Sequence, residues 1–373
     1  MTGRDILAAR PRLKEVVWRR EGDHLRVVYD IRDFFVLADP EGTVEALLEL
    51  LAEGGRTPEQ LADALAGKGR KVTLAELADV LEALDSHRLL EDESRLGRFS
   101  ETEQERYLSN LGFFESFASL ATSREDFQSR LRESHVLVLG TGGLNSNTIP
   151  HLCGLGVGRL TLLDQDAVDL RNFARQYLYR HRDIGSRKVA VAAEWVRQFD
   201  PAIKVDAIDA SVSGPDQLGQ LIDDVKPDVV MSGVDSPNQV DDWVNTACVT
   251  RAVPYVRGGM WVTQGLVWSV DPGRSACRRC AQAAGATADQ QTEAELAQMA
   301  MFASKPRLNR GIGPVAGLLG ALCAFEVLRY LTGFEPPAYA GRMLAIDFAN
   351  GCATEFLPGI ERSPTCTVCG HLG

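Results

Sequence analysis

The chain has 373 residues and a formal net charge of −11, with 45% hydrophobic and 24% charged residues. This length is sufficient for two domains with separate cores, and the composition is that of an ordinary globular protein. The acidic balance disfavours association with a nucleic-acid backbone, so we expect no nucleic-acid partner.

The N-terminal sequence, MTGRDILAARPRLKEVVWRR, has scattered charges and lacks the apolar core of a secretory signal. We therefore expect a cytoplasmic protein. One apolar run, 314–331, contains Glu326 and Arg329. Because two charges lie inside it, the run is predicted to be a buried helix, and we expect no membrane association.

Residues 1–95 are predicted to form a small winged-helix domain. The segment LRVVYDIRDFFVL (25–37) is rich in β-branched and aromatic residues, which predicts a strand. Three helices are predicted next, one at 43–52 and two that begin after Thr57 and Thr73. Gln60 and Glu76 follow these two threonines by three positions, and each pair predicts a capping box. A short closing strand is predicted at 87–90.

The polar segment 92–106 predicts a linker, and we assign 96–134 to the linker and a helical stretch. From 135 to 373 strands alternate with helices. This alternation predicts an α/β fold with a doubly wound, mostly parallel sheet of the Rossmann-like type. The predicted strands are 136–139, 159–163, 205–209, 228–233, PYVRGG and GLVWSV, and the helices include 149–155, 186–199 and 240–250. An Ala- and Gln-rich segment, 281–310, predicts a long crossover loop.

The first of these strands runs into a glycine-rich loop, VLVLGTGGLNSN (136–147). Gly140, Gly142 and Gly143 allow a phosphate to approach the backbone N–H groups at the start of the next helix. Asn145 stands where a G-x-G-x-x-G loop has its third glycine. A glycine-rich turn also serves close packing, so the loop alone leaves packing and nucleotide binding both open.

The second strand ends in Asp164, roughly twenty residues beyond the loop, where a carboxylate meets ribose hydroxyls. Asp166 follows two positions later and is a second candidate for nucleotide binding. The alternative is that it is a solvent-exposed acid in a loop. Further along lie Asn172, Arg175, Gln176 and Lys188. Nucleotidyl transfer needs cations such as Arg175 and Lys188, because negative charge grows on the phosphate oxygens during the reaction. Nicotinamide chemistry does not need cations at this place. Taken singly, the arginine and the lysine also fit surface helix positions.

Asp235 follows the fourth strand, at the sheet edge where ligands bind in open α/β folds. Its carboxylate suits Mg²⁺ bound to triphosphate oxygens. Capping of the next helix is the alternative.

Four of the eight cysteines form two C-x-x-C pairs, Cys277/Cys280 and Cys366/Cys369. Two such pairs predict a closed tetrahedral Zn²⁺ site with a structural role. Four single cysteines are predicted to be core residues: Cys153, Cys248, Cys323 and Cys352.

Residues 105–371 resemble the ThiF/MoeB/HesA family of ubiquitin-activating-enzyme-like adenylyltransferases. The matching stretches are GTGGLNS, LGVGRLTLLDQDAVDLRNFARQ, GSRK, SGVDSPN, PYVRGG, ACRRC, GPVAG and CTVCG. The family loop reads G-x-G-G-L-G, so Asn145 is a departure. The resemblance implies an ATP site, attack of a C-terminal carboxylate on the α-phosphate with release of pyrophosphate, a structural Cys₄ zinc site and a homodimer.

Carried over by position, the resemblance implies that Asp164 binds ribose, Asp166 lies near the nucleotide and Asp235 holds Mg²⁺. It places four residues around the triphosphate: Asn172, Arg175, Gln176 and Lys188. Ser109 stands where family members carry an arginine that reaches the partner subunit's ATP. The crossover region 281–313 has no cysteine, so thioester transfer at that position is excluded.

The N-terminal domain resembles the PqqD-like elements that bind a leader peptide as an added strand, with the third helix forming the groove wall. Joined to an adenylation domain without a crossover cysteine, it resembles the microcin-C-type MccB enzymes. These adenylate the C-terminal residue of a ribosomal peptide and go on to a nucleotide–peptide linkage. We therefore expect a ribosomal precursor peptide as substrate.

Three other functions remain open. They are activation of a Gly-Gly-ending sulfur-carrier protein, a non-catalytic peptide-presenting scaffold, and a nicotinamide oxidoreductase. For the winged-helix domain, DNA binding is the alternative to peptide binding.

Overall fold

A computed structural model of the chain describes residues 6–30, 33–283 and 310–372. The chain divides into two compact units, Met1–Ser129 and Arg130–Gly373. The domain limits at 95 and 134 remain predictions. Most of the predicted crossover loop, 284–309, lies outside the described residues.

The first unit combines short antiparallel strands with helices. Its strands are β1 (Pro11–Leu13), β2 (Val17–Glu21), β3 (His24–Asp30), β4 (Asp33–Ala38) and β5 (Leu90–Asp92). Its helices are α1 (Thr43–Glu53), α2 (Pro58–Gly67), α3 (Leu74–Ser86), α4 (Glu101–Arg106) and α5 (Leu108–Glu115). Helix α6 (Arg124–Glu133) continues into the second unit.

The predicted single strand 25–37 is wrong, because this segment forms two paired strands. β3 and β4 pair antiparallel in a sheet of order β2-β3-β4, with Val28 opposite Phe34. Residues 31–32 are Ile-Arg, without the Gly, Pro or Asn that commonly mark a turn. The turn signals that the segment does contain are the flanking Asp30 and Asp33.

Both predicted capping boxes of the first unit are confirmed. Thr57 and Thr73 accept hydrogen bonds from the backbone N–H groups of Gln60 and Glu76, whose side chains bond back. The closing strand is β5, two to three residues later than predicted. The predicted linker 92–106 contains helix α4, because Ser100 forms a further capping box with Glu103.

The second unit is built on one large sheet. Its strands are β6 (His135–Leu139), β7 (Arg159–Leu163), β8 (Lys204–Ile208), β9 (Val229–Ser232), β10 (Tyr255–Trp261), β11 (Gln264–Val270), β12 (Leu344–Asp347) and β13 (Ala353–Phe356). Its helices are α7 (Asn145–Leu155), α8 (Lys188–Phe199), α9 (Pro215–Val225), α10 (Val240–Thr250), α11 (Arg278–Ala283) and α12 (Gly313–Thr332).

The strand order is β13-β12-β11-β10-β9-β6-β7-β8. Strands β8, β7, β6, β9 and β10 run parallel, and β11, β12 and β13 extend the sheet antiparallel. The predicted α/β fold is therefore confirmed. Every residue of β6 is buried, as expected for a parallel strand covered on both faces. The order reverses between β6 and β9, which leaves a crevice at their carboxyl ends.

Helix α12 is long and apolar enough to span a membrane, yet half of its most apolar 18-residue window is buried. Glu326, within it, is fully buried and accepts hydrogen bonds from Ser269 Oγ at 2.6 Å and Tyr339 N at 2.8 Å. These contacts confirm the prediction of a buried core helix.

The single cysteines divide into two groups. Cys153, Cys248 and Cys323 are buried, as predicted. The prediction for Cys352 is wrong, because this residue is exposed. It lies in the turn between β12 and β13 with a φ of 60°, where the chain leaves the core.

Candidate functional site

A cavity of about 620 Å³ lies at the carboxyl ends of β6, β7 and β9, at the reversal of strand order. All the residues that the sequence predicts for a nucleotide site line this one cavity: Gly140, Gly142, Gly143, Asp164, Asp166, Asn172, Arg175, Gln176, Lys188 and Asp235. The fold thus brings together residues that are up to 95 positions apart in the sequence.

The glycine-rich loop approaches its neighbours too closely for side chains. Gly140 has a φ of +78°, and a Cβ atom there would lie 3.0 Å from the Val234 side chain. A Cβ atom on Gly143 would lie 3.0 Å from Nε of Arg175. The absence of side chains therefore lets the guanidinium lie directly over the loop.

Asp164 is fixed by a chain of hydrogen bonds. Its Oδ2 accepts from Thr141 N at 2.6 Å and Thr141 Oγ1 at 2.9 Å, and its Oδ1 accepts from Asp166 N at 2.8 Å. The Tyr179 hydroxyl donates to the Thr141 carbonyl at 2.6 Å. Burial raises the pKa of Tyr179, which keeps this hydroxyl protonated as a donor.

Sequence reasoning missed Thr141 and Tyr179. Thr141 occupies the variable position of the loop, and Tyr179 comes 38 positions later. No motif joins the two, and only the fold brings them together.

Asn145 and Asn147 hold the loop from the side of α7. Asn145 Nδ2 donates to the carbonyls of Leu139 at 3.0 Å and Gly140 at 2.7 Å. Asn147 Nδ2 donates to the carbonyls of Gly143 at 2.7 Å and Arg175 at 2.9 Å. The predicted departure at position 145 is therefore a buried anchor, and Asn147 is a further residue that sequence reasoning missed.

The cations of the cavity have different environments. Lys188 is 7% exposed and its Nζ lies 2.8 Å from Oδ2 of Asp166, which is 60% exposed. Burial lowers the pKa of Arg175, the Asp235 carboxylate raises it, and the Arg171 guanidinium lowers it. Two positive groups and the carboxylates Asp166 and Asp235 thus meet in one cavity, an arrangement suited to metal-bound phosphates.

Asn172 and Gln176 are almost fully buried beside these cations. Asn172 Oδ1 accepts from the backbone N–H of Asp169 at 2.9 Å and caps the 3₁₀ turn Leu170–Ala174. Gln176 Oε1 has no hydrogen-bond partner among the described residues. It therefore remains available as a ligand acceptor.

The four paired cysteines converge in the second unit. Their Sγ atoms all lie within 4.8 Å of one another, with separations of 3.7 Å for Cys277–Cys366 and 3.3 Å for Cys280–Cys369. Four sulfurs around a Zn²⁺ at about 2.3 Å are about 3.8 Å apart. The cluster therefore has the size and the donor set of a tetrahedral Zn²⁺ site.

The sulfur distances exceed the length of about 2.05 Å of a disulfide bond. Burial opposes ionisation of Cys366, but backbone N–H groups of Cys369 and Val368 lower its pKa to about 7. Thiolate formation at this cysteine suits metal binding.

The fold and this cavity define the class of protein. It is a Rossmann-like α/β enzyme in which acidic and basic side chains line a crevice of the kind that binds nucleotides. Comparisons with known proteins are more specific. The model of the ThiF family matches residues 115–368. The molybdopterin-synthase adenylyltransferase of Escherichia coli K12 is 30% identical over 248 residues, which cover 66% of this chain and 91% of that protein.

The sulfur carrier protein ThiS adenylyltransferase of the same organism is 30% identical over 247 residues, which cover 66% of this chain and 89% of that protein. The chain therefore belongs to the ThiF family and is an adenylyltransferase, as the sequence predicted. Use of ATP follows from this membership.

The E. coli MccB structure with ATP superimposes with a TM-score of 0.74 and 19% identity, covering 96% of this chain and 99% of that one. MccB in complex with N-formylated MccA gives a TM-score of 0.73 and 20% identity over the same shares. These structures share the fold along nearly the whole chain, which confirms the predicted likeness to MccB.

Proposed function

We propose that the chain activates the C-terminal carboxylate of a ribosomally synthesised peptide with ATP. The carboxylate attacks the α-phosphate, an acyl-adenylate forms and pyrophosphate leaves; the adenylate then goes on to a nucleotide–peptide linkage. The observation that carries the proposal is the single cavity lined by every predicted nucleotide-site residue.

Each part of the cavity has a chemical role in this proposal. The loop N–H groups and the start of α7 bind phosphate oxygens. Asp164 Oδ1 accepts one N–H, from Asp166, and keeps a lone pair for a ribose hydroxyl. Arg175 and Lys188 stabilise negative charge at the phosphates as the α-phosphate is attacked. Asn172 and Gln176 add polar contacts beside them.

Asp235 offers the oxygen ligand that Mg²⁺ prefers. Mg²⁺ would neutralise charge on the phosphates. Asp235 and Arg175 line the same cavity, and the Asp235 carboxylate raises the pKa of Arg175. Both observations support this role.

We assign leader binding to the first unit, at the free edge of β4. Phe34 and Val36 are 55% and 52% exposed on this edge strand. Phe35, on the opposite face, packs on His87 just after α3, with ring centroids 4.2 Å apart. A peptide strand added to the edge of β4 would contact apolar side chains of the sheet, and α3 would form the wall of its binding groove.

We infer a structural Zn²⁺ at the four cysteines and a homodimer. The described cysteines form no disulfide bond, which fits a reducing compartment and supports a cytoplasmic location. For the dimer, Ile312 and Leu318, at the start of α12, are 54% and 37% exposed. Such apolar exposure on a core helix favours packing against a second copy. Sedimentation of Leu318→Asp tests the dimer, which should dissociate.

The names of the two E. coli relatives favour a second candidate, activation of a Gly-Gly-ending sulfur-carrier protein. The first unit argues for the peptide, because the family match begins at residue 115 and leaves most of that unit unaccounted for. A folded carrier needs no clamp for an extended leader.

The proposal is tested by incubating the protein and ATP with either the peptide encoded by a small neighbouring reading frame or a Gly-Gly-ending carrier. Mass spectrometry should detect a nucleotide adduct on the peptide alone. An adduct on the carrier alone would establish the second candidate. Adduct formation that survives Arg175→Ala and Lys188→Ala would contradict the roles of these cations, and no adduct on either would favour a scaffold.

A further inference from the structure

A basic stretch borders the nucleotide cavity of this acidic protein. Residues 169–188 contain five arginines and one lysine against two aspartates. Arg175 and Lys188 belong to the predicted site. Arg171 lines the same cavity, although the predicted site does not include it.

Arg171 stands at the mouth of the cavity with its side chain 84% exposed. Its Nε lies 3.1 Å from Oδ1 of Asp169, which is itself 46% exposed. That oxygen also accepts the backbone N–H of Arg171 at 2.9 Å. Because this contact engages Nε, the two Nη groups present the fork that phosphate oxygens bind.

The surroundings of Arg171 hold a second guanidinium. Arg175 packs over Gly143 and lines the same cavity as Arg171. The pKa of Arg175 is lowered by burial, raised by the Asp235 carboxylate and lowered by the charge of Arg171. Like charges that share a cavity repel each other, and the repulsion is relieved when an anion binds between them. The pair therefore indicates a site for a polyanion that extends from the loop to the mouth.

We propose that Arg171 binds the terminal phosphates of ATP and the departing pyrophosphate. This inference rests on the proposed function. Asp164, near the loop, holds the ribose end, so the phosphate chain runs outward past Arg175 to the exposed guanidinium at the mouth.

The chemistry of the step explains the need for a cation there. A carboxylate oxygen of the substrate forms a bond to the α-phosphorus, and the bond from that phosphorus to the bridging oxygen of the β-phosphate breaks. The electron pair stays on that oxygen, so pyrophosphate leaves with one additional negative charge. The attacking carboxylate is already ionised, and no proton is transferred. Arg171 stabilises the charge that the leaving group gains.

Isothermal titration of the full chain with a non-hydrolysable ATP analogue, pyrophosphate and AMP tests this role. Arg171→Ala should weaken binding of the analogue and of pyrophosphate about tenfold, the effect of one charge-assisted hydrogen bond. AMP has no terminal phosphates, so its affinity should stay unchanged. Arg171→Lys should restore part of the loss.

Arg182→Ala is the matched control. Arg182 is 82% exposed and pairs at 3.8 Å with Asp183, and it is not among the described residues that line the cavity. Equal pyrophosphate affinity in Arg171→Ala and Arg182→Ala would overturn the inference while leaving the proposed function intact. An equal loss of AMP affinity in Arg171→Ala would also overturn it, because a general distortion would then be the cause. A wild-type chain that binds neither the analogue nor pyrophosphate would overturn both proposals.

Discussion

Asn145 fills the space that a side chain on Gly233 would need. A Cβ atom on Gly233 would lie 2.6 Å from Nδ2 and 2.8 Å from Cγ of Asn145, well inside van der Waals contact. The same Nδ2 donates to the carbonyls of Leu139 and Gly140. Asn145, which replaces the third glycine of the loop, is thus accommodated because Gly233, at the end of β9, has no side chain. The loop therefore retains its backbone conformation.

This relationship predicts that Gly233→Ala and Asn145→Gly compensate for each other. Gly233→Ala alone should raise the KM for ATP about tenfold, because the new methyl group displaces Asn145 and the loop it anchors. Asn145→Gly alone removes two buried hydrogen bonds, at about 1 kcal/mol each, and should lower Tm. In the double variant the clash disappears, so the KM should return towards that of Asn145→Gly.

The measurement is a double-mutant cycle on the KM for ATP and on Tm. Gly154→Ala is the control within α7, since a Cβ there meets no atom of the described residues within 4 Å. Additive effects of the two substitutions would show that the residues do not compete for this space.

Lys188→Ala should lower kcat for adenylation about 10²- to 10³-fold, as removal of a preorganised charge at a reacting oxygen does. The Lys188 ammonium is buried beside Asp166, so the lost charge is not replaced by solvent. The neighbouring Arg187 is 56% exposed and pairs with Asp209. Arg187→Ala should therefore retain activity, and steady-state kinetics compares the two. Equal activities would remove Lys188 from the reaction.

Cys366→Ser should release the metal and destabilise the second unit. Loss of a structural metal belongs to the most destabilising class of changes, about 3 kcal/mol or more, which lowers Tm by at least about 6 °C in a unit of this size. Cys352→Ser, at an exposed cysteine that does not belong to the cluster, is the control. Metal analysis should give one zinc per wild-type chain and less in Cys366→Ser; equal zinc in both would exclude these ligands.

Val36→Asp should weaken leader-peptide binding about tenfold. A charged side chain at the edge of β4 disfavours contact with apolar side chains of an added strand. Val17, on the opposite edge strand β2, is 69% exposed. Val17→Asp places the same charge on the same sheet away from the proposed peptide. Fluorescence anisotropy with a labelled leader peptide compares the two. Equal affinities would place the leader elsewhere.

The fold of the second unit could be predicted from the sequence because the patterns that indicate its strands and site residues are local. Apolar strands such as HVLVL, followed by a glycine-rich loop or by an aspartate, predict both the sheet and the edge that carries the site. Asp164 and Asp235 each follow such a strand, and Lys188 opens helix α8. The fold brings all three to one cavity.

The remaining features depend on contacts that no local pattern encodes. Tyr179 is linked to Asp164 by hydrogen bonds through Thr141, and a side chain on Gly233 would meet Asn145. The β3–β4 hairpin was missed because no Gly, Pro or Asn marks its turn, and the flanking Asp30 and Asp33 are a weaker signal. Arg171 was overlooked because, taken singly, it is an exposed arginine beside an aspartate.

The proposed function depends on one step, the attack of a peptide carboxylate on ATP in the cavity. Exchange of labelled pyrophosphate into ATP, measured with the neighbouring-gene peptide bearing either a free or an amidated C-terminus, tests it most directly. Exchange should require the free carboxylate and disappear with the amide. Equal exchange with both peptides, or none with either, would contradict the claim.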